Sequence, residues 1–178
     1  MMKRLPLQPL LALAVTVSFT ANAFAVDTLY IEGSSPARGT ITGFTKDVVK
    51  IEVASKEREI PVNTINSISW DTESIDFKKA RAAENSGKLT EAIGLYEEVK
   101  KNVGGLSKNA QSDLNYLMAR TKAKQALNNP NLLDAAIKGL ETFKASNSDH
   151  FRYYDLHMFL GRLQSAKGNA AKATEAFN

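Results

Sequence analysis

The side chains best suited to chemistry are two histidines, His150 and His157, with Asp149 and Asp155 beside them. Imidazole and carboxylate groups bind Zn²⁺ and act as acid–base catalysts. On one helix, a separation of seven residues puts the two histidines on the same face but two turns apart, too far to share one metal ion without further ligands. The zinc motifs HExxH and HxH are absent, so both histidines are predicted to be packing or surface residues.

Cysteine is absent from the 178-residue chain, which excludes disulfides, thiolate metal sites and cysteine nucleophiles. The sequence also has no glycine-rich phosphate loop, nucleophile elbow or dinucleotide-binding fingerprint. The carboxylate pairs Glu57/Glu59 and Glu97/Glu98 lie in charged segments and are predicted to be solvated. These observations predict a protein that is not an enzyme and that carries no cofactor or metal.

The N-terminus has the order of a secretory signal. Lys3 and Arg4 precede an uncharged, mostly apolar run over residues 5–19, and two overlapping A-x-A sites that end at Ala23 and Ala25 follow. This order predicts cleavage after Ala25 or Ala23 and export to the periplasm or the medium. The apolar run is shorter than the roughly 20 residues that span a bilayer, so no membrane span is expected in the mature chain. The alternative is an N-terminal anchor that is never cut.

Removal of residues 1–25 changes the charge balance. The whole chain has 23 basic and 19 acidic residues, a formal net charge of +4, and the signal contains two of the basic residues and no acid. The mature net charge is therefore +2. The remaining basic runs, Lys78–Arg81 and Arg120–Lys124, stand near acids and contain no interleaved aromatic residue. This pattern argues against a nucleic-acid partner.

Residues 26–71 contain five short runs rich in β-branched residues and separated by turn residues. In the third run, Val49 and Ile51 alternate with polar residues, the pattern of a strand with one buried face. Pro61 cannot donate a ladder hydrogen bond, so its strand is predicted to lie at an edge, and Trp70 is predicted to pack against the segment that follows. The spacing predicts a small antiparallel barrel, and the unit resembles the SH3-like or Sm-like barrels of bacterial envelope proteins. The five runs are TLYIEG, GTITGF, VVKIEVA, REIPV and INSISW.

The rest of the chain, residues 72–178, repeats one pattern three times: a turn residue, then small and large apolar residues at helical spacing. Small side chains allow two helices to cross closely, and glycine allows the left-handed backbone of a tight turn. The pattern predicts antiparallel helix pairs, with Gly161 at a close crossing and Phe177 among the larger residues around it. The turn and small residues of the three segments are Gly87 and Ala92, Asn131 and Ala136, and Gly168 and Ala173.

This pattern resembles the tetratricopeptide repeat (TPR), whose period is 34 residues. The second segment departs from the family, because Lys124 replaces a small residue and Asn131 replaces glycine; other helix-hairpin repeats remain possible there. A repeat array buries each face on a neighbour and ends in a polar cap. Because Asn178 is only a few residues into the last helix, we expect about two and a half repeats. Either the sequence is part of a longer array, or its exposed C-terminal repeat docks on a partner or a second copy. The matching positions are Ala80, Gly87, Ala92 and Tyr96 in the first segment and Leu160, Gly161, Gly168, Ala173 and Phe177 in the third.

The resemblance implies that the first helix of each pair lines a concave groove. The arginines of that face could hold a carboxylate or backbone carbonyls, and its amides could bind a peptide main chain. The alternative is that these are ordinary solvated helix residues. The Lys/Asn set that clamps a C-terminal carboxylate in chaperone-binding members of the family is not reproduced. The residues implied are Phe77, Arg81, Glu84, Asn85, Met118, Thr121, Gln125, Asn128, Asp155, Met158 and Arg162.

Taken together, the sequence predicts an α+β protein: a signal peptide over residues 1–25, a small β barrel over 26–71 and a TPR-like helical solenoid over 72–178. Its expected role is that of an exported, non-enzymatic adaptor or scaffold of the bacterial cell envelope that binds a protein or peptide. The alternatives are a structural envelope component and an accessory subunit of an enzyme complex.

Overall fold

A computed structural model describes residues 26–178 of the chain. The predicted signal sequence, with its cleavage sites at Ala23 and Ala25, lies outside the described residues. Within 26–178, an antiparallel sheet of five strands precedes six α-helices, so the predicted α+β class and the order of its two parts are confirmed. None of these six helices combines the length and the apolar character that a bilayer crossing requires.

The strands form where apolar and polar residues alternate, as in the third strand, where Val49 and Ile51 are buried and Glu52 is exposed. The strands are β1 (Asp27–Ile31), β2 (Ala37–Phe44), β3 (Val48–Val53), β4 (Lys56–Pro61) and β5 (Ile65–Ser69). Their order across the sheet is β4-β3-β2-β1-β5, with every pair antiparallel. Strands β4 and β5 do not pair with each other, so the sheet is open. Pro61 ends the edge strand β4, as predicted.

Six helices follow, and their ends show the expected local signals. The Ser74 and Ser107 hydroxyls accept hydrogen bonds from backbone N–H groups in the first turns of α1 and α3, at 3.1 and 3.2 Å, which satisfies donors that the helix itself leaves free. Gly87 and Gly168 adopt φ values of 75° and 83°, which confirms the left-handed turns predicted there. The helices are α1 (Ile75–Asn85), α2 (Leu89–Lys101), α3 (Lys108–Leu127), α4 (Leu133–Ser146), α5 (Tyr153–Ala166) and α6 (Ala170–Phe177).

Each helix packs on the next one along the chain, and α3 also packs on α5. The small residues Ala92 and Ala173 are buried at these contacts. Gly161 lies where α6 crosses α5. A Cβ atom at this position would collide with the ring of Phe177 in α6, which shows how closely the two helices meet there. The predicted close crossing at Gly161 is therefore confirmed.

Buried side chains form one continuous core from the sheet into the helices. Leu29 of β1 and Phe77 of α1 belong to the same cluster. Trp70, between β5 and α1, is 1% exposed, and its ring lies 6.5 Å from that of Phe151, just before α5. The prediction that Trp70 packs between the two parts is confirmed. The sheet therefore completes its core on the helices.

Candidate binding site between the sheet and the helices

A cleft of about 680 Å³ lies between the open sheet and the start of α5. One wall comes from the β2–β3 turn and from the segment that joins β4 to β5; the other comes from α3, α5 and the residues before α5. Apolar, amide, carboxylate and guanidinium groups all reach this cleft. Its lining residues are Asp47, Val62, Asn63, Ile65, Asn66, Arg120, Phe151, Arg152, Tyr154, Asp155 and Met158.

The β2–β3 turn is fastened to the start of α5 and so fixes the width of the cleft. The backbone N–H of Lys46 donates to Oδ1 of Asp149 at 3.0 Å. The Tyr154 hydroxyl donates to Oδ1 of Asp47 at 2.9 Å. Beneath this contact, the ring of Phe44 lies 4.6 Å from the His150 ring and 5.0 Å from that of Phe151. The two walls therefore meet through polar bonds at the surface and aromatic packing below it.

Under the cleft, a buried carboxylate joins the sheet to the helices. Asp113 of α3 is fully buried and accepts hydrogen bonds from Trp70 Nε1 at 3.0 Å, from Arg81 Nη2 at 3.3 Å and from Arg152 Nε at 3.3 Å. Burial by itself would raise the pKa of Asp113, but the charges of Arg152 and Arg81 hold that pKa below its ordinary value. Asp113 is therefore ionised and tied to three separate segments.

Arg81, predicted to face a groove, belongs to this buried cluster instead. Besides Asp113, its guanidinium contacts Glu73 at 2.7 Å and donates to the main-chain carbonyl of Ile68 in β5. This contact links α1 to β5, the strand at one edge of the sheet. Burial raises the pKa of Glu73. The guanidinium of Arg81 is therefore engaged within the chain and is not presented to a groove.

A second buried carboxylate, Glu84 of α1, joins three helices. It accepts a bond from the Tyr96 hydroxyl at 3.0 Å, two from Arg120 at 2.8 and 2.9 Å, and one from Lys124 at 2.8 Å. Burial would raise the pKa of Glu84, but the bonds from Arg120 and Lys124 lower it below its ordinary value. Glu84 is therefore not a groove residue. The same contacts give the Lys124 ammonium a partner within the helical part of the chain.

The remaining predicted groove residues divide into buried and exposed sets. Phe77 and Thr121 are 0% exposed and Met118 is 8% exposed, so the structure places these three side chains in the core. The Gln125 amide donates to the Thr90 hydroxyl at 3.0 Å, which joins α3 to α2. The structure places three others at the surface, namely Asn85, Asn128 and Arg162.

Only the last helix of the predicted face contributes to the cleft. Met158 of α5 is 46% exposed and lines it. Asp155, one turn earlier, accepts a hydrogen bond from the Tyr116 hydroxyl at 2.8 Å. Arg162, one turn later, lies over the ring of Phe159 at 5.9 Å and is not part of the cleft. The predicted groove residues are thus not brought together as one site.

The two histidines are packing residues, as predicted. His150 is 2% exposed and lies among aromatic rings, including Phe143 at 5.1 Å and Phe151 at 4.6 Å. Burial lowers the pKa of His150 to about 4, so the ring is neutral at pH 7. His157 packs on Tyr153 at 4.3 Å. Among residues 26–178, no group of three or more potential metal ligands occurs.

The sequence analysis missed the link between Trp70, Asp113 and Arg152. One signal was present: in α3, the buried positions Ala110, Leu114 and Leu117 define an apolar stripe, and Asp113 falls on it. An acidic residue on a buried stripe requires a cationic partner. What the sequence did not contain was the identity of that partner, because Arg152 lies 39 residues away.

Comparisons of the chain with protein-family models, curated proteins and solved structures find no match. The cleft is therefore interpreted from its own chemistry. Its lining combines an apolar wall with amide and guanidinium donors and with the carboxylates of Asp47 and Asp155, a composition typical of a ligand-binding cleft.

Proposed function

We propose that this protein is an exported, non-enzymatic adaptor or scaffold of the bacterial cell envelope, and that it binds a segment of a protein partner in the cleft between the sheet and α5. The observation that carries the proposal is the cleft itself. At about 680 Å³ it falls within the usual range of ligand pockets, and its walls are fixed by the Lys46–Asp149 and Asp47–Tyr154 contacts.

The resemblances noted in the sequence support the same class of function. The antiparallel helix pairs with glycine turns at Gly87 and Gly168 are consistent with a TPR-like array, a class that binds proteins. The return of β5 to β1 is consistent with an SH3-like or Sm-like unit. The order of charged, apolar and small residues at the N-terminus supports export. We therefore place the proposed partner contact at the junction of the sheet and the helices, and not on the concave face that the TPR resemblance implies.

Site-specific crosslinking tests the proposal directly. Asn66 of β5 is exposed and lines the cleft, so a photoreactive amino acid placed there should capture the partner in intact cells. Ile75 is 73% exposed and lies outside the cleft; the same amino acid at that position is the matched control. We expect a discrete protein adduct at position 66 that is missing at position 75 and is lost in a Met158→Glu background. No adduct at position 66, or identical adducts at both positions, would contradict the proposal.

One observation favours the structural alternative. Tyr154, Met158 and Phe177 are 54%, 46% and 53% exposed and line a second, smaller cavity of about 240 Å³ at the end of the helical array. This apolar surface suits a second copy or a neighbouring subunit. Sedimentation across a range of concentrations would decide: a dimer that Phe177→Ser dissociates supports assembly through this end, and a monomer throughout opposes it.

A further inference from the structure

We infer that the cleft binds a carboxylate group of its partner segment, and that Arg152 is the residue that binds it. This inference rests on the proposed function and specifies the chemistry of the partner. Of the two arginines that the sequence predicts for this task, Arg81 is paired with Asp113 and Glu73, and Arg162 does not line the cleft. Arg152 is attached to the same Asp113 carboxylate, but from the side that faces the cleft.

The guanidinium of Arg152 is held in a fixed orientation. Its Nε donates to Oδ1 of Asp113 at 3.3 Å, and its Cζ lies 4.7 Å from the ring centre of Phe151 and 5.8 Å from that of Tyr116. The side chain is 11% exposed. Among residues 26–178, neither terminal nitrogen of Arg152 has a hydrogen-bond partner, and neither is sealed from solvent. The terminal N–H groups of Arg152 are therefore available as donors.

Two parallel donors on a planar cation match the two oxygens of a carboxylate. The match costs little conformational entropy here, because Asp113 and the two rings already order the arginine. Arg120, the other cation of the cleft, has no comparable free edge: its Nε and Nη2 both donate to Glu84, and its Nη1 lies 4.0 Å from Asp155. Arg152 is thus the better ligand for an added anion.

The surrounding charges favour a single carboxylate over a polyanion. Asp47 and Asp155 line the same cleft, and like charges at short range repel a phosphate or a run of acidic residues. Beside Arg152, Met158 and Ile65 offer apolar surface, and Asn66 offers an amide for a peptide main chain. The site suits a peptide with one carboxylate next to an apolar residue, either at its C-terminus or on an Asp or Glu side chain.

Three libraries of six-residue peptides, all acetylated at the N-terminus, separate these possibilities. The first lacks Asp and Glu and has a free C-terminal carboxylate; the second has the same sequences with a C-terminal amide; the third is amidated and contains one Asp or Glu. Binding to the purified chain is followed by NMR through the Asn66 side-chain amide and the Arg152 Nε–H. We expect the first or the third library to bind and to shift both signals, and the second to bind at least about tenfold more weakly.

Two variants assign the effect to Arg152. Arg152→Lys keeps the charge but loses the planar pair of donors, so carboxylate binding should fall at least about tenfold, whereas the control Arg162→Lys in α5 should bind as the parent does. If Arg152→Lys does not fold, Asn66→Trp blocks the cleft from β5 without touching Asp113 and should abolish binding. Equal binding of the amidated neutral library, or no binding of any library, overturns the carboxylate inference. Crosslinking at position 66 tests the proposed function independently of the peptide-binding results and of the variants.

Discussion

The indole N–H of Trp70 donates a hydrogen bond to the carboxylate of Asp113 across 3.0 Å, and both side chains are buried. The two residues are 43 positions apart and belong to different parts of the chain: one follows the last strand and the other is in the third helix. A β unit of fewer than about 50 residues buries too little surface to be stable alone. Through this bond and the aromatic packing beside it, the helices supply part of the hydrophobic core on which the sheet packs.

The first prediction concerns Asp113 itself. Asp113→Ala should lower the free energy of unfolding by about 3–5 kcal/mol, because two arginines and an indole N–H lose their shared acceptor in a buried place. Urea denaturation followed by circular dichroism and by Trp70 fluorescence measures the change. Glu98→Ala is the control: its partner Lys101 is exposed, so the change should stay within about 0.5 kcal/mol. Similar small losses in both variants would show that the Asp113 cluster is not a stabilising junction.

The same titration should show one transition for the sheet and the helices. Trp70 reports on the junction, and circular dichroism near 222 nm reports on the helices. Since a single core runs through both parts, the two signals should coincide in the parent chain. Separate midpoints would mean that the sheet and the helices unfold as independent domains.

The second prediction separates the two arginines that the sequence grouped together. Arg81→Ala should destabilise the chain by about 3–5 kcal/mol, because Asp113 and Glu73 are buried partners of its guanidinium. Arg162→Ala should change stability by no more than about 0.5 kcal/mol, because Arg162 is exposed and, within residues 26–178, its side chain lies over the ring of Phe159 without an ion pair. Thermal unfolding of the two variants provides the comparison. A neutral Arg81→Ala would restore Arg81 as a candidate ligand residue.

Local patterns in the sequence were sufficient for the elements of this fold. Alternation around Val49 and Ile51 identified a strand, and Gly87 and Gly168 identified two helix–helix turns, because these signals depend on neighbours within a few residues. The cleft could not be derived in this way. Its residues come from the β2–β3 turn, the β4–β5 segment, α3 and α5, and their meeting depends on contacts such as Tyr154 with Asp47, 107 positions apart.

The placement of Arg81 and Glu84 could not be derived from the sequence for a related reason. Family spacing states which residues share a helical face, but it does not state which of them find partners on other elements. The family spacing assigns Arg81 and Glu84 to a groove; in the structure Arg81 contacts Asp113 as well as nearby Glu73, and Glu84 contacts Arg120, 36 positions away. A buried ion pair and a solvated charge have the same local sequence signature.

The third prediction is a loss of stability in mild acid through His150. Its ordinary pKa is 6.5 and its folded pKa is about 4, so the unfolded chain binds a proton more readily between these values. The contribution of neutral His150 to the free energy of unfolding is fully present above pH 6.5. It is lost as the pH falls towards 4, by on the order of 3 kcal/mol in total. The charged groups that act on it are Asp113, which opposes the shift, and Arg152, which adds to it.

Unfolding free energies at several pH values between 7.5 and 4 test this effect. His150→Phe keeps an aromatic ring among Phe44, Phe143 and Phe151 but cannot titrate. Its stability should fall less steeply with acid than that of the parent chain, by up to about 1.4 kcal/mol per pH unit below pH 6. The difference between the two slopes removes the contributions of the other groups. Parallel curves would show that His150 is not the group that titrates.

The fourth prediction concerns the crossing of α5 and α6. In Gly161→Ala the new methyl group meets the ring of Phe177, which is 53% exposed and can turn outward, so the displaced ring offsets the gain from a helical alanine and the net cost is about 1 kcal/mol or less. Gly139→Ala in α4 is the matched control, because no atom lies within 4 Å of the added Cβ; it should stabilise the chain by about 0.5–1 kcal/mol. In a Phe177→Ala background, Gly161→Ala should lose most of its cost, because the colliding ring is gone. A Gly161→Ala change that stabilises as much as Gly139→Ala would show that this crossing leaves room for a side chain, and that glycine is not required where the last two helices meet.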